Sequence, residues 1–160
     1  FNIRPIQDSD VPFLWEMLYQ AIYTQAGKEP PPRDILNKPE IAGYVSGWGR
    51  KGDRGFIALN HDGQPIGAVW IRLFDEANQA YGYVDDKTPE LSMAVLPGYR
   101  GRGVGDALLG RMLREARAKG YPAVSLSVDP DNPAVSLYNR HGFVEGGKRG
   151  TSLVMKTKEL

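Results

Sequence analysis

The 160 residues fit one compact domain, expected to span 1–160, because independent domains typically need about 100–150 residues. Hydrophobic residues at 41% and charged residues at 24% exclude a disordered or collagen-like chain, and 20 basic against 19 acidic residues exclude a general pull toward nucleic acid or anionic membrane. The absence of cysteine excludes disulfides, thiolate metal sites and a cysteine nucleophile, and His61 and His141 alone are too few for a histidine-rich metal site, so no metal is expected.

Phe1–Ile6 alternates as a short strand, and Asp8-Ser9-Asp10 then supplies capping side chains ahead of a helix expected over Val11–Gln25. Phe13, Leu14, Met17, Leu18, Ala21 and Ile22 recur there at helical spacing. Polar Asp8, Ser9 and Asp10 interrupt Phe1–Tyr19 too early for a signal peptide, and the chain has no apolar run of about 18 residues, so a cytoplasmic protein is expected. After the break at Pro30-Pro31-Pro32, Pro39–Trp48 reads as a second short helix, which Gly43 and Gly47 weaken.

Phe56–Asn60 and Ile66–Phe74 read as strands, joined through Asp62-Gly63, a strong hairpin signal. Asp75–Thr88 carries four acidic residues without periodicity and reads as an irregular, solvated connection. Leu91–Leu96 is the next strand, ended by Pro97-Gly98, and the glycine-rich run Arg100–Gly105 opens a helix over Val104–Lys119 with Leu108, Leu109 and Met112 on its buried face. Gly120 stops that helix. Ala123–Val128 then alternates as a strand, Asp131-Asn132-Pro133 caps another helix ending near His141-Gly142, and Phe143–Glu145 and Ser152–Met155 close the chain around a turn at Gly146–Gly150. This order implies an α/β domain around a central mixed sheet.

The stretch that carries chemistry is the strand, glycine-rich turn and helix over Leu91–Leu109. A helix start combines unpaired N–H groups with the positive end of the macrodipole, and glycines admit a phosphate close to the backbone, so Arg100-Gly101-Arg102-Gly103-Val104-Gly105 predicts a diphosphate cradle. A P-loop requires Lys and then Ser or Thr after its last glycine, whereas Asp106 and Ala107 follow Gly105. A dinucleotide fingerprint fails as well, because Asp106 occupies the third glycine position counted from Gly101 and Gly103.

What remains is Arg-x-x-Gly-x-Gly at Arg100, Gly103 and Gly105, which resembles the acyl-CoA-binding motif of the GCN5-related N-acetyltransferases (GNAT family). The later segment Asn132-Pro-Ala-Val-Ser-Leu-Tyr138-Asn-Arg-His-Gly142-Phe143 is similar to a second motif of that family, and the two together cover roughly Glu90–Phe143. The resemblance implies an acyl-CoA N-acyltransferase fold, with a mostly antiparallel sheet, flanking helices and splayed middle strands at Leu91–Leu96 and Ala123–Val128. It implies acetyl-CoA as acetyl donor and an amine as acceptor, with pantetheine pairing to backbone near Met93 and Val95, and diphosphate on the turn from Arg100, Gly101 and Arg102 to Gly103, Val104 and Gly105. Dimers are common in the family.

By the same resemblance, Glu90 removes the amine proton and Tyr138 serves the departing thiolate; the alternatives are an exposed strand-end glutamate and a core tyrosine. A lysine-like amine is neutral roughly once in 2500 at pH 7 and an α-amine about once in six, so a base matters more for the former. Asn132 either contacts pantetheine or caps the following helix, or does both. Asp106 suits the helix dipole, His141 a helix end, and the family's acceptor pocket corresponds to about Tyr23–Arg50, which brings Trp48 near it by analogy. A non-catalytic acyl-CoA sensor is the alternative function.

Overall fold

The computed structural model describes residues 1–25 and 27–160; Ala26, inside the segment expected to face the acceptor, lies outside the described residues. In chain order the elements are β1 (Asn2–Pro5), α1 (Val11–Ala21), α2 (Pro39–Ala42), β2 (Arg54–Leu59), β3 (Pro65–Arg72) and β4 (Glu90–Val95). They continue with α3 (Val104–Ala118), β5 (Ser125–Val128), α4 (Ala134–Arg140), β6 (Phe143–Arg149) and β7 (Ser152–Thr157). The seven strands form one sheet in the order β1-β2-β3-β4-β5-β7-β6, antiparallel throughout except between β4 and β5. This is the mixed, mostly antiparallel sheet with flanking helices that the resemblance implies.

Helices cover both faces because both carry apolar side chains. Leu14, Met17 and Leu18 of α1 pack with Ile57, Trp70 and Ala94 on one face. Leu108, Leu109 and Met112 of α3 pack with Val69, Ile71 and Leu126 on the other, and α4 adds Tyr138 to that side. At roughly 1.5–3 kcal/mol for each fully buried Leu, Ile or Met, these layers fix the position of α3. The hairpin between β2 and β3 forms as expected: Asn60 Oδ1 accepts the N–H groups of Asp62 and Gln64, both at 2.9 Å.

Between β4 and β5 the sheet comes apart. Their pairing is confined to Glu90 opposite Ser125, with the Ser125 N–H donating to the Pro89 carbonyl at 3.0 Å. The Leu96 N–H instead points to β3, donating to Ile66 at 2.8 Å, so strand alternation turns the backbone groups of Met93 and Val95 toward the gap.

Several expected boundaries move, each for a local reason. The first helix ends at Ala21 rather than Gln25, because Ile22 is extended (φ −73°, ψ 110°) and Ile22–Thr24 leaves the helix to line the gap described below. The helix expected over Pro39–Trp48 keeps only Pro39–Ala42, and the chain then turns through Gly43 to Gly47, the two residues that disfavour a helix. Strand β5 starts at Ser125, and Ala123 and Val124 are buried just before it. The turn expected at Gly146–Gly150 is mostly strand: β6 runs to Arg149 with a register shift between Glu145 and Gly147, leaving a two-residue turn at Gly150-Thr151. Residues 80–82 of the acidic connection are not a solvated loop; Ala80 and Gly82 are buried against the sheet. Among the described residues no helix is long and apolar enough to cross a membrane.

Candidate active site

The parted strands open a cleft of about 990 Å³ that runs from the α3 N-terminus, along β4, to Glu90. Its lower wall is the free edge of β4, its upper wall Ser127–Asp129 after β5, and its sides are α1 with the chain after it and the start of α4.

At one end lies the glycine turn. Gly103 sits at φ +83°, a left-handed conformation that only glycine adopts at little cost, and it starts α3 without any side chain capping the helix. The first hydrogen bond of the helix is from Ala107 N–H to Gly103 at 3.1 Å, so the N–H groups of Val104, Gly105 and Asp106 precede the ladder and have no backbone partner among the described residues. A Cβ placed on Gly101 or Gly103 would meet no protein atom within 4 Å, so the turn presents bare backbone to open space. The Val104 side chain is buried in the core, so its N–H is what it presents at the turn.

The two arginines differ. Arg100 folds back on the protein, its Nε donating to the Val95 carbonyl at 2.9 Å and its Nη2 to Gln20 Oε1 of α1 at 3.4 Å. That carbonyl is one of the backbone groups expected to be open, so along β4 the Val95 N–H and both polar groups of Met93 are the ones left facing the cleft among the described residues. Arg102 is exposed beside the Tyr99 ring, 5.7 Å from its centre. Asn132 is engaged in capping: its Oδ1 accepts the Ala134 N–H at 2.9 Å, and it also lines the cleft. Asp106 and His141, each read as serving its own helix, form a pair instead, with His141 Nε2 2.8 Å from Asp106 Oδ1.

At the other end Glu90 is 2% exposed, so the strand-end glutamate is a buried one. Its Oε2 accepts the Tyr44 hydroxyl at 2.5 Å and its Oε1 the Gly82 N–H at 2.9 Å. Burial pushes its carboxyl up to about 7, against the opposing effect of those two hydrogen bonds and of the Arg149 charge. Gly82 is required by space: a Cβ there would stand 2.6 Å from the Leu126 carbonyl carbon and 2.8 Å from Glu90 Cδ.

Tyr138, from α4, lies on the α3 side of the sheet, whereas Glu90 lies on the α1 side with Tyr44; both reach one cleft because the sheet is open between them. Burial pushes the Tyr138 phenol up to about 12; its hydroxyl makes no hydrogen bond to the described residues and, because none of their buried polar side-chain atoms lacks a partner, it opens onto the cleft. The ring packs edge-on against Phe143 with centres 5.7 Å apart.

Trp48 does not line the cleft; its ring lies 5.6 Å from the Arg72 guanidinium and packs against the α1-side core. Tyr44, Tyr81 and Gly82 were not identified from sequence as site residues. A tyrosine in a weak helical segment and a glycine in an acidic loop carry no local signal, because what places them is their packing against Glu90, 46 and 8 residues away.

The model of the Acetyltransferase (GNAT) family matches residues 11–143. Among curated proteins, mycothiol acetyltransferase of Streptomyces avermitilis is 38% identical over 90 residues, which is 56% of this chain but 27% of that protein. An uncharacterised N-acetyltransferase of Methanocaldococcus jannaschii is 30% identical over 152 residues, 91% of this chain and 61% of that one. A solved phosphinothricin acetyltransferase from Sinorhizobium meliloti, in complex with AcCoA, has the same fold, with a TM-score of 0.71 at 20% identity over 99% of this chain and 88% of that one.

Proposed function

The chain belongs to the Acetyltransferase (GNAT) family, and from that premise we propose that its 160 residues form one catalytic domain moving acetyl from acetyl-CoA to a primary amine by direct attack. The observation that carries this reading is the continuity of the cleft. An uncapped helix start, the free N–H groups of Met93 and Val95, a buried carboxylate and an unpartnered phenol follow one another along a single opening in the sheet.

The cradle fits a diphosphate. The N–H groups of Val104, Gly105 and Asp106 lie at the positive end of a 15-residue helix, Arg102 adds exposed charge nearby, and among the described residues no side chain fills the space beside Gly101 and Gly103. The β4 edge fits an extended amide chain, which adds to a sheet edge as a strand would. An N–H of that edge facing the thioester carbonyl stabilises the negative charge that builds on its oxygen during attack.

Glu90 accepts a proton from the acceptor amine, directly or through water. With its carboxyl raised to about 7, its basicity matches an α-amine near 7.7 far better than a lysine-like amine near 10.4. Tyr138 stays protonated through the neutral range and donates a hydrogen bond to the leaving thiolate. Since a thiol near 8.5 is much the stronger acid, that contribution is a hydrogen bond rather than complete proton transfer. Asn132 Nδ2, left free by the cap, faces the pantetheine arm, and the acceptor enters past Ile22–Thr24. The enzyme acts in the cytoplasm on an amine.

The test begins with calorimetric titration by acetyl-CoA, followed by thiol release over a panel of amino acids, polyamines, aminoglycosides and an alanine-initiated peptide. The protein has no cysteine, so every thiol that appears is released carrier. Binding followed by thiol release and a matching acetylated acceptor is expected. Binding with no release across the panel leaves a sensor, and no binding removes the proposal.

A further inference from the structure

We propose that Tyr44 is a positioning residue for the Glu90 carboxylate, held in place by a buried frame built from Arg72, Asp53 and Trp70. The proposal rests on the role given to Glu90 above, and its principal measurement does not require acetyl transfer.

Arg72 and Asp53 form an ion pair away from the cleft, with side chains only 1% and 2% exposed. The pair is bidentate: Arg72 Nε and Nη2 donate to the two Asp53 oxygens at 3.0 and 2.9 Å. A buried ion pair is a costly way to stabilise a fold compared with apolar packing, so its remaining contacts are informative. The third guanidinium nitrogen, Nη1, donates to the carbonyls of Gly43 and Ser46 at 2.9 and 2.7 Å. Between these, the Tyr44 carbonyl accepts the buried Trp70 indole N–H at 3.0 Å. Three carbonyls in one four-residue turn are thus fastened to β3, and the residue in their midst projects its phenol to Glu90.

The phenol is also fixed at its tip. Tyr44 Oη accepts the Tyr81 N–H at 3.1 Å while donating to Glu90 Oε2 at 2.5 Å. With Gly82 N–H on Oε1, each carboxylate oxygen carries one fixed donor, which sets the rotation of the carboxylate about its stem and leaves the remaining lone pairs to meet a proton from the cleft. A hydroxyl donating to a carboxylate stabilises its charged form, so removing the hydroxyl raises the pH at which Glu90 ionises. The other charged and titratable groups around Glu90 are Arg149 of β6, whose charge favours ionisation, Tyr81 on the adjoining loop, and its cross-strand neighbour Arg72, neutralised by Asp53. Ser125 and Ser127 line the β5 side without charge.

The experiment follows the Glu90 carboxyl carbon by NMR in protein labelled with ¹³C-glutamate, the resonance being assigned by its loss in Glu90→Gln. Tyr44→Phe keeps the ring and removes only the hydroxyl. The Glu90 midpoint is expected to rise by about one pH unit, and the acid limb of kcat/KM for the fastest acceptor in the panel to rise with it, while the KM for acetyl-CoA stays unchanged. An unchanged midpoint in the folded variant overturns the inference, because a purely structural tyrosine would lower activity without moving the titration. If Tyr44→Phe does not fold, the parent sequence grown with 3-fluorotyrosine, a stronger donor, is expected to lower the midpoint, and no movement overturns the proposal. Full activity in Glu90→Gln would instead remove the base from the proposed function, a separate outcome.

Discussion

At the α3 end of the cleft, the proposed cradle comes from one short run of chain, the turn over 100–105 and the Asp106 N–H, and within 100–105 nothing is buried except the Val104 side chain. At the Glu90 end, the carboxylate is surrounded by residues drawn from the α2 turn, the 80–82 loop and β5, and nearly all of that surrounding is buried. The first end works through what the backbone leaves unpaired; the second works through desolvation, which needs a wall of distant residues. A helix terminus makes an anion site from a local turn, whereas a carboxyl near 7 takes the rest of the molecule.

The sharpest way to separate the two ends is Glu90→Gln. It is expected to lower kcat by about 10²-fold or more while leaving acetyl-CoA affinity intact in calorimetry. The same variant alters the pH dependence of stability. Because the folded Glu90 binds its proton up to about 7, above the ordinary value of 4.5, the parent loses stability as pH rises from 4.5 through 7. Glu90→Gln lacks that component, so denaturant melts at pH 5 and pH 8 should differ less than they do in the parent.

Gly82→Ala tests the wall rather than the carboxylate. Its Cβ meets backbone at 2.6 Å, which cannot move as a flexible side-chain tip does, so a loss of about 3 kcal/mol is expected in urea unfolding, together with a displaced Glu90 resonance. A small loss would show that the wall is soft and that the burial of Glu90 is not enforced from this side.

Tyr138→Phe probes the middle of the cleft. Turnover should drop about tenfold with acetyl-CoA affinity retained, as fits the loss of one hydrogen bond to developing charge. Turnover equal to the parent would remove Tyr138 from the chemistry and leave it as the partner of Phe143 in the core.

At the cradle itself the effect is expected on binding rather than on turnover. Gly103→Ala adds strain at φ +83° and a methyl group where the protein has open space, so acetyl-CoA affinity should fall about tenfold while kcat at saturation is kept. If affinity is unchanged, the diphosphate is held elsewhere, and the contrast between a local end and an assembled end no longer describes this cleft.

Much of the fold was legible because its signals are local. The Asp62-Gly63 hairpin, the apolar stripe of α3 and the strand before the glycine turn each depend on neighbouring residues, and each formed where expected. The departures arose where distant packing or a bulge decided the outcome. Ile22–Thr24 left α1 to line the cleft, Gly146 fell in a bulge instead of a turn, and Ala80 and Gly82 were drawn under the sheet. Glu90 was identifiable as a residue from the family motif, but not its burial, and Tyr44 was not identifiable at all.

Residue order alone determined the bare turn at the start of α3, since a glycine that permits a left-handed turn and a helix that begins beside it are properties of adjacent peptide units. The tertiary structure decided the parting of β4 from β5, the joining of Glu90 and Tyr138 across two faces of the sheet, and the reluctance of Glu90 to ionise. Those depend on how much water the assembled walls exclude, a quantity that no short stretch of chain contains.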